Sequence, residues 1–419
     1  MTIILTSMTL PHAFIRTILL IAISLVPFLV SSQVTVVPDS TLKVSLITCR
    51  AGANIYELEG HTALRFFDPE TGDDVTVNWG LFDFDAPNFV YRFVKGETDY
   101  CVGAAPTPLF LNAYARQGRK VVEQELNLTP AQAGRLRELV MENLRPENRV
   151  YRYNYVLDNC STRPLRLIEQ ATGDTLTFEA SMLPHEVTTT FRNAMRHYHT
   201  AYPWYQFGID LALGSGIDRP ITTGEAAFAP ESLELMMTSA LLPDGEKAVK
   251  STSVLINGTP GGGPLPATPW WLTPMFWCSI VALISLLLTI KQLRSGRFTG
   301  TTATRIFDTA FYGIFGLTGL VLTFLIFVSV HEATSPNWLY LWLNPLCFTA
   351  AITVWVKSAK QLLFSYQIVN FALLIVLVVI FLCGIQSPNP AFYPLIVADA
   401  LRAIAYILTY RTNNHHHNA

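Results

Sequence analysis

Residues 151–173 read YRYNYVLDNCSTRPLRLIEQATG, and this stretch decides how the N-terminal half of the chain is interpreted. An aromatic, extended run leads into Asp158 and Asn159, which are good N-cap residues, and Gly173 is a typical C-terminal stop. The pattern therefore predicts a helix with Cys160 in its first turn. At that position the free backbone N–H groups and the positive end of the helix dipole favour a thiolate over a thiol.

Two interpretations of Cys160 are open. A lone cysteine is most often a small buried residue that fills space in an apolar core. A reactive thiol lies instead in polar, electropositive surroundings, and the neighbours of Cys160 are of that kind: Asp158, Asn159, Ser161, Thr162 and Arg163. The sequence therefore favours a reactive thiol.

The composition indicates a membrane protein with one water-exposed domain. Half of the 419 residues are hydrophobic and only 14% are charged, which is typical of chains with membrane-spanning segments. Charges and turn residues occur throughout residues 33–256, which read as a folded domain outside the bilayer. The net charge is −2 and no Lys/Arg-rich run is present, so a nucleic-acid partner is not expected.

Residues 1–32 are typical of a secretory signal. The apolar run 14–30 is followed by Ser31 and Ser32, which suit cleavage just before Gln33. An uncleaved signal anchor is the alternative. In both cases the domain that follows is translocated across the membrane.

Five apolar stretches after a Gly/Pro-rich linker (257–269) predict a transmembrane domain at 270–411: 270–290, 306–330, 338–356, 366–385 and 392–410. Lys and Arg fall in the first and third connecting loops and after the last stretch, whereas the second and fourth loops have none. The positive-inside rule therefore predicts that the domain at 33–256 faces the outside of the membrane and that the tail at 412–419 is cytoplasmic. We assign no function to the histidines of that tail.

The domain before the linker contains a possible partner for Cys160. His61 begins one predicted strand, and Asn78 lies near the end of the next strand, across a turn rich in Asp and Gly. Two antiparallel strands joined in this way bring such residues side by side. Thiol hydrolases and acyltransferases need a nucleophile, a base and a group that orients the base, and Cys160, His61 and Asn78 supply these types.

The chain order of histidine, polar residue and cysteine is the reverse of the order in papain. It resembles the circularly permuted branch of the NlpC/P60 papain-like superfamily, which includes lecithin:retinol acyltransferase-like enzymes. This resemblance implies an α+β papain-like periplasmic domain, here followed by an all-α transmembrane bundle of five helices.

A closer resemblance is to the Lnb-type bacterial lipoprotein N-acyltransferases. It rests on GHTALRF (60–66), VNWGLFDF (77–84), PNFVYRFVKGETDY (87–100), YRYNYVLDNCSTR (151–163) and SPNWLYLWLNP (335–345). It implies an inner-membrane enzyme, without a cofactor, that moves an acyl chain from a phospholipid to the α-amino group of the lipidated N-terminal cysteine of a diacylated lipoprotein. It also implies that Cys160 is the nucleophile and His61 the base, whereas Asn78 as the orienting group is our geometric hypothesis.

Further residues are candidates for binding. Backbone N–H groups at the helix start are expected to hold the oxyanion, with Asp158, Asn159 and Ser161 as oxyanion or capping residues. Arg163 suits either a donor phosphate or an ion pair on the helix surface. The substrate-binding candidates of the second connecting loop (331–337) and the residue after it, which ordinary interfacial polarity also explains, are His331, Glu332, Asn337 and Trp338.

Arg402 lies three positions after Asp399 within the last apolar stretch, so the two share a helix face. We expect either a mutual ion pair or a contact of Arg402 with a substrate headgroup. Cys49 and Cys101 either form a disulfide or are both reduced.

The histidines at 185, 197 and 199 lack the spacing of a metal site, so no metal is expected. Two rival functions remain: a cysteine peptidase or amidase acting on cell-wall peptides, and a non-catalytic membrane assembly factor.

Overall fold

The computed structural model describes residues 41–415. The predicted signal at 1–32 and the end of the predicted tail, 416–419, lie outside the described residues. Nothing in the structure therefore tests those two predictions.

An antiparallel sheet forms the centre of the N-terminal domain, with the strand order β6-β4-β3-β2-β1-β5-β7. The predicted hairpin is present as β2 and β3, in which Ala63 is the cross-strand partner of Asn78. The strands are β1 (Lys43–Cys49), β2 (His61–Phe67), β3 (Asp74–Leu81), β4 (Asp99–Pro106), β5 (Val121–Leu126), β6 (Val150–Arg152) and β7 (Val249–Ile256).

Helices cover both faces of this sheet. They are α1 (Phe89–Lys95), α2 (Thr107–Arg116), α3 (Pro130–Leu144), α4 (Thr162–Thr172), α5 (Phe191–Tyr198), α6 (Pro203–Ala212), α7 (Thr223–Ala226) and α8 (Pro230–Met237). On one face, Ile47 of β1 packs in a small core with Phe110 of α2. On the other face, Leu46 belongs to the main core, which also contains Trp79 and Leu165 of α4. Alternating side chains of one strand thus serve two cores.

In the described residues after the linker, five α-helices are present: α9 (Pro274–Ser295), α10 (Thr302–Phe327), α11 (Cys347–Thr353), α12 (Lys360–Leu382) and α13 (Phe392–His415). Within residues 41–415, four stretches are long and apolar enough to cross a membrane, and they correspond to α9, α10, α12 and α13. The N-terminal domain is therefore joined to a helical membrane domain.

The third predicted span, 338–356, is not a continuous helix. It consists of a 3₁₀ turn at Trp338–Leu341 and, after a break, the short helix α11. Pro345 lies in the break, where it can neither donate a backbone hydrogen bond nor sit in the interior of a helix. The segment still packs along α10. The hydroxyl of Thr323 donates a hydrogen bond to the hydroxyl of Tyr340, and the hydroxyl of Thr309 donates one to the carbonyl of Ala351.

The predicted ion pair between Asp399 and Arg402 is wrong. Arg402 donates to both carboxylate oxygens of Asp308 on α10, at 2.7 and 2.8 Å. Asp399 accepts hydrogen bonds from Tyr312, Trp342 and Asn370. Residues three apart do share a helix face, but here each side chain reaches a different neighbouring segment. The buried side chains of Arg402 and Asp399 therefore each link neighbouring segments inside the bundle.

The second connecting loop (331–337) joins the two halves of the protein. Backbone N–H groups of Gly214 and Ser215 donate to the carbonyls of Ala333 and Pro336, at 2.8 and 2.7 Å. The side chain of Asn337 donates to the carbonyl of Leu211 at 2.9 Å. The loop therefore lies against the end of α6 and is held there mainly by backbone groups.

The linker 257–269 is also fixed to the N-terminal domain. The N–H of Thr259 donates to the carbonyl of Gly118, and the N–H of Leu265 donates to the hydroxyl of Tyr202, both at 2.8 Å. The segment therefore folds back on the domain that it leaves.

The close approach of α10 to the broken segment gives a test of this packing. A Cβ added at Gly319 would lie 2.3 Å from the carbonyl carbon of Asn344, whereas one at Gly313 on the same helix would meet nothing within 4 Å. Gly319→Ala is expected to cost ~1–3 kcal/mol, because backbone must move. Gly313→Ala is expected to stabilise the helix by ~0.5–1 kcal/mol. Thermal unfolding in detergent micelles measures both, and equal unfolding midpoints would contradict the described contact.

Candidate active site

The side chains of His61 and Asn78 are hydrogen-bonded to each other. Nε2 of His61 lies 3.0 Å from Oδ1 of Asn78, so this nitrogen carries the proton in that contact. The ring of Tyr114 on α2 stacks on the imidazole at a centroid distance of 6.4 Å. The amide and the phenol ring together fix the orientation of the imidazole, and Nδ1 is the nitrogen left for a reacting proton.

Cys160 precedes its helix. α4 begins at Thr162 with Ser161 as its N-cap, so the thiol is not in the first turn as predicted. The side chain of Asn159 causes this, because its Oδ1 accepts from the N–H groups of both Ser161 and Thr162, at 2.8 and 2.9 Å. Its Nδ2 donates to the carbonyls of Tyr155 and Phe228. With these four bonds the amide fixes the loop that carries the thiol.

The surroundings of the thiol differ from the expectation of a resting thiolate. Cys160 is 8% exposed and belongs to the main core, and this burial raises the pKa of the thiol to about 11. The backbone N–H groups of Thr62 and Cys160 and the hydroxyl of Tyr153 act in the opposite direction, because they lie near the sulfur and favour its anion. Burial is the larger effect, and the resting group is a neutral thiol.

The imidazole is neutral as well. Burial lowers the pKa of His61 to about 4, the bond to Asn78 raises the pKa, and the charge of Arg119 lowers it. A neutral imidazole and a neutral thiol supply a base and a proton, but no preformed ion pair. The site is thus suited to proton transfer during the reaction itself.

The remaining polar residues of the DNCSTR segment bind to other parts of the protein. Asp158 accepts two hydrogen bonds from the guanidinium of Arg163, at 2.8 and 2.7 Å, and pairs with Arg166 as well. The guanidinium of Arg163 also lies over the ring of Tyr151. The hydroxyl of Ser161 donates to the carbonyl of Ala227. The ion pair that the sequence left open for Arg163 is therefore present.

The outer-loop candidates lie between the two halves of the protein. Nε2 of His331 is 2.8 Å from the carbonyl oxygen of Phe93, and Glu332 accepts from Asn154, next to Tyr153. The N–H of Trp338 donates to the side chain of Gln386. Arg402 lies deep in the helical bundle, where it pairs with Asp308.

Sequence reasoning missed three groups near the thiol. Tyr153 is one, and its alternation with Tyr151 and Tyr155 in YRYNY was a usable signal. The buried Glu59 is another: it accepts hydrogen bonds from Tyr155 and from Nε2 of His199. The third is the backbone N–H of Thr62, and no sequence pattern predicts its position near the thiol.

No disulfide links Cys49 and Cys101, and the described part of the chain contains free cysteines only. Strands β2 and β3 separate β1 from β4 in the sheet, so the two thiols are too far apart to bond. Of the two alternatives, the reduced pair is the one present.

Comparison with known protein families gave two matches. Residues 35–196 match the family model described as the Lnb N-terminal periplasmic domain. Residues 266–413 match the one described as the Lnb transmembrane domain. No curated protein and no solved structure matches the chain.

The neutral state of the thiol predicts how it reacts. Alkylation of Cys160 by iodoacetamide should accelerate about ten-fold per pH unit between roughly pH 6 and pH 9, because only the thiolate reacts and the pKa lies above this range. Peptide mapping by mass spectrometry separates Cys160 from the other cysteines. A rate that stays constant across this range would indicate a thiolate–imidazolium pair and would contradict our description.

Gly80 gives a second test. A Cβ there would lie 3.2 Å from Cε2 of Tyr153 and 3.8 Å from Cβ of Cys160. Gly80→Ala is expected to cost ~1–2 kcal/mol through its positive φ, and to displace Tyr153 and change the alkylation rate of Cys160. Gly72→Ala is the control, since Gly72 has a similar φ and nothing within 4 Å. If both variants left the rate of Cys160 unchanged, Tyr153 would not be held against the thiol.

Proposed function

Because this chain belongs to the Lnb family, whose two domain models together cover most of it, we propose that it is a lipoprotein N-acyltransferase. It moves an acyl chain from a membrane phospholipid to the α-amino group of the lipidated N-terminal cysteine of a diacylated lipoprotein. The observation that carries the proposal is that His61, oriented by Asn78 of β3, lies on β2, the strand that also brings the Thr62 N–H to the Cys160 sulfur.

The first half-reaction forms a thioester. His61 takes the thiol proton while the sulfur of Cys160 attacks the ester carbonyl carbon of the phospholipid. The carbonyl π electrons move onto oxygen, where the N–H groups of Thr62 and Cys160 and the hydroxyl of Tyr153 are the available donors. When the carbonyl re-forms, the C–O bond breaks and the lysophospholipid leaves as an alcohol with the proton held by His61.

The second half-reaction uses the same residues. The α-amino group of the lipoprotein attacks the thioester carbonyl in its neutral form, and His61 accepts the proton that the nitrogen loses. The C–S bond breaks and the sulfur takes that proton back, so Cys160 and His61 return to their neutral states. Asn78 keeps the imidazole in one orientation through both steps.

Burial of Cys160 suits a transferase. A thioester exposed to water is hydrolysed, whereas this thiol lies in an apolar core that admits little solvent. The same burial disfavours a charged sulfur, so the thiol loses its proton only when the ester carbonyl under attack takes up the developing negative charge.

The chain is an inner-membrane protein with a periplasmic N-terminal domain, since it has membrane-spanning helices and matches a periplasmic-domain family. We infer that the broken segment 338–356 supplies a fifth crossing, which leaves the C-terminus in the cytoplasm. The contacts of that segment along α10 and the positions of Lys and Arg in the loops support this topology.

We also infer a permuted papain-like arrangement for the periplasmic domain. Its support is the sheet that carries His61 and Asn78 on adjacent strands, together with a cysteine just ahead of a helix packed on that sheet.

The decisive experiment is intact-mass spectrometry of the purified full-length protein after incubation with phospholipid. The wild type is expected to gain the mass of one acyl group, which hydroxylamine removes. Addition of a diacylated lipopeptide should transfer that group to the peptide amine. Cys160→Ser is the control and should form no hydroxylamine-sensitive adduct.

Absence of both the adduct and the modified lipopeptide with the wild type would overturn the proposal. Cell-wall peptides would then be the next substrates to test for a peptidase or amidase. A Cys160→Ala variant that retained full function in cells would point instead to a non-catalytic assembly factor.

A further inference from the structure

A row of aromatic rings leads away from the thiol. It starts at Tyr153, whose hydroxyl lies near the Cys160 sulfur. Tyr153 stacks on Tyr100 at a centroid distance of 4.4 Å, and Tyr100 contacts Phe82 at 5.3 Å. Phe82 contacts Phe89 at 5.8 Å. These four residues, here called the aromatic row, form a continuous apolar path from the candidate nucleophile to helix α1.

The outer end of the row continues into exposed apolar side chains. Phe84 contacts both Phe82 and Phe89 and is 57% exposed. Val90 and Tyr91 of α1 are 73% and 54% exposed. Large apolar side chains grouped in this way are uncommon on the water-exposed surface of a soluble domain and indicate contact with lipid or with a ligand.

The position of α1 indicates that its exposed apolar side chains contact lipid. The ring of Tyr91 contacts Phe324 near the outer end of α10, a membrane-spanning helix, at a centroid distance of 6.1 Å. The hydroxyl of Ser329, just beyond α10, donates to the carbonyl of Val94. Helix α1 therefore lies where the spans leave the bilayer, so its exposed side chains face the outer leaflet.

We propose that the aromatic row binds the acyl chain of the donor lipid and guides it from the outer leaflet to Cys160. This inference rests on the proposed function and specifies how the substrate is recognised: by the length of its apolar chain, which lies against the faces of the four rings and is bound through contact area rather than through hydrogen bonds. A short acyl chain reaches the thiol without filling the row, whereas a long chain lies along it and gains binding energy from each ring.

The test is a competition between two donors in one reaction. Dipalmitoyl- and dihexanoyl-phosphatidylethanolamine are mixed in equal amounts in detergent micelles, and the palmitoyl and hexanoyl adducts on Cys160 are read from one intact-mass spectrum. Their ratio does not depend on how much of the protein is folded. Phe84→Glu places a charge beside Phe82 and Phe89 at an exposed position, where it is compatible with folding.

We expect Phe84→Glu to lower the palmitoyl-to-hexanoyl ratio about ten-fold, because a long chain loses an apolar contact that a short chain does not reach. The matched control is Phe327→Glu, which puts the same charge at a 67% exposed phenylalanine of α10 outside the row and should keep the wild-type ratio. Phe82→Ala, within the row, should lower the ratio as well.

The outcomes separate this proposal from the function on which it rests. If the wild type forms no adduct from either donor, the proposed function fails. If the adducts form but Phe84→Glu keeps the wild-type ratio, or Phe327→Glu lowers it equally, only the acyl-binding row is overturned. An unchanged ratio together with slower transfer to the lipopeptide would assign this surface to the acceptor peptide instead.

Discussion

The site depends on the hydrogen bonds made by the side chain of Asn159. Its oxygen accepts two backbone N–H groups at the start of α4, and its nitrogen donates to two carbonyls, one of them Phe228 in a distant part of the chain. An amide at 3% exposure with all these bonds satisfied is a rigid junction, since an unsatisfied buried amide would be costly. The loop before α4, and the Cys160 thiol with it, is thereby held against the sheet.

Burial of Cys160 and His61 has two related consequences. It keeps the thiol and the imidazole neutral, and it keeps water away from the sulfur. A site of this kind differs from one that stores a thiolate–imidazolium pair, because its charge develops only when a carbonyl is present to receive the attack. A resting site without charge also reacts slowly with soluble electrophiles, because only the thiolate is strongly nucleophilic.

The periplasmic and membrane parts act as one body at the outer face. The second connecting loop is hydrogen-bonded through its backbone to the end of α6, and His331 contacts the carbonyl of Phe93 on α1. The residues of this loop that looked like substrate contacts thus have a second role as the joint between the domains. This joint, together with the contact of Tyr91 with Phe324, holds α1 at the outer end of α10. The proposed path of the acyl chain depends on that position.

Local patterns in the sequence determined a large part of this protein. The His61–Phe67 and Asp74–Leu81 hairpin, the capped start of α3 at Thr129 and four of the five apolar spans follow from alternation, capping and length. The contact of His61 with Asn78 was predictable from the hairpin, which puts both residues on adjacent strands, although the cross-strand partner of Asn78 is Ala63 and His61 reaches it from two residues away. The partners of Arg402 and Asp399, the separation of Cys49 from Cys101, the break at Pro345 and the neutral state of Cys160 were decided only by the tertiary structure. Each of these depends on which distant segments pack together, and on how much water that packing removes, and neither is written in the spacing of residues along the chain.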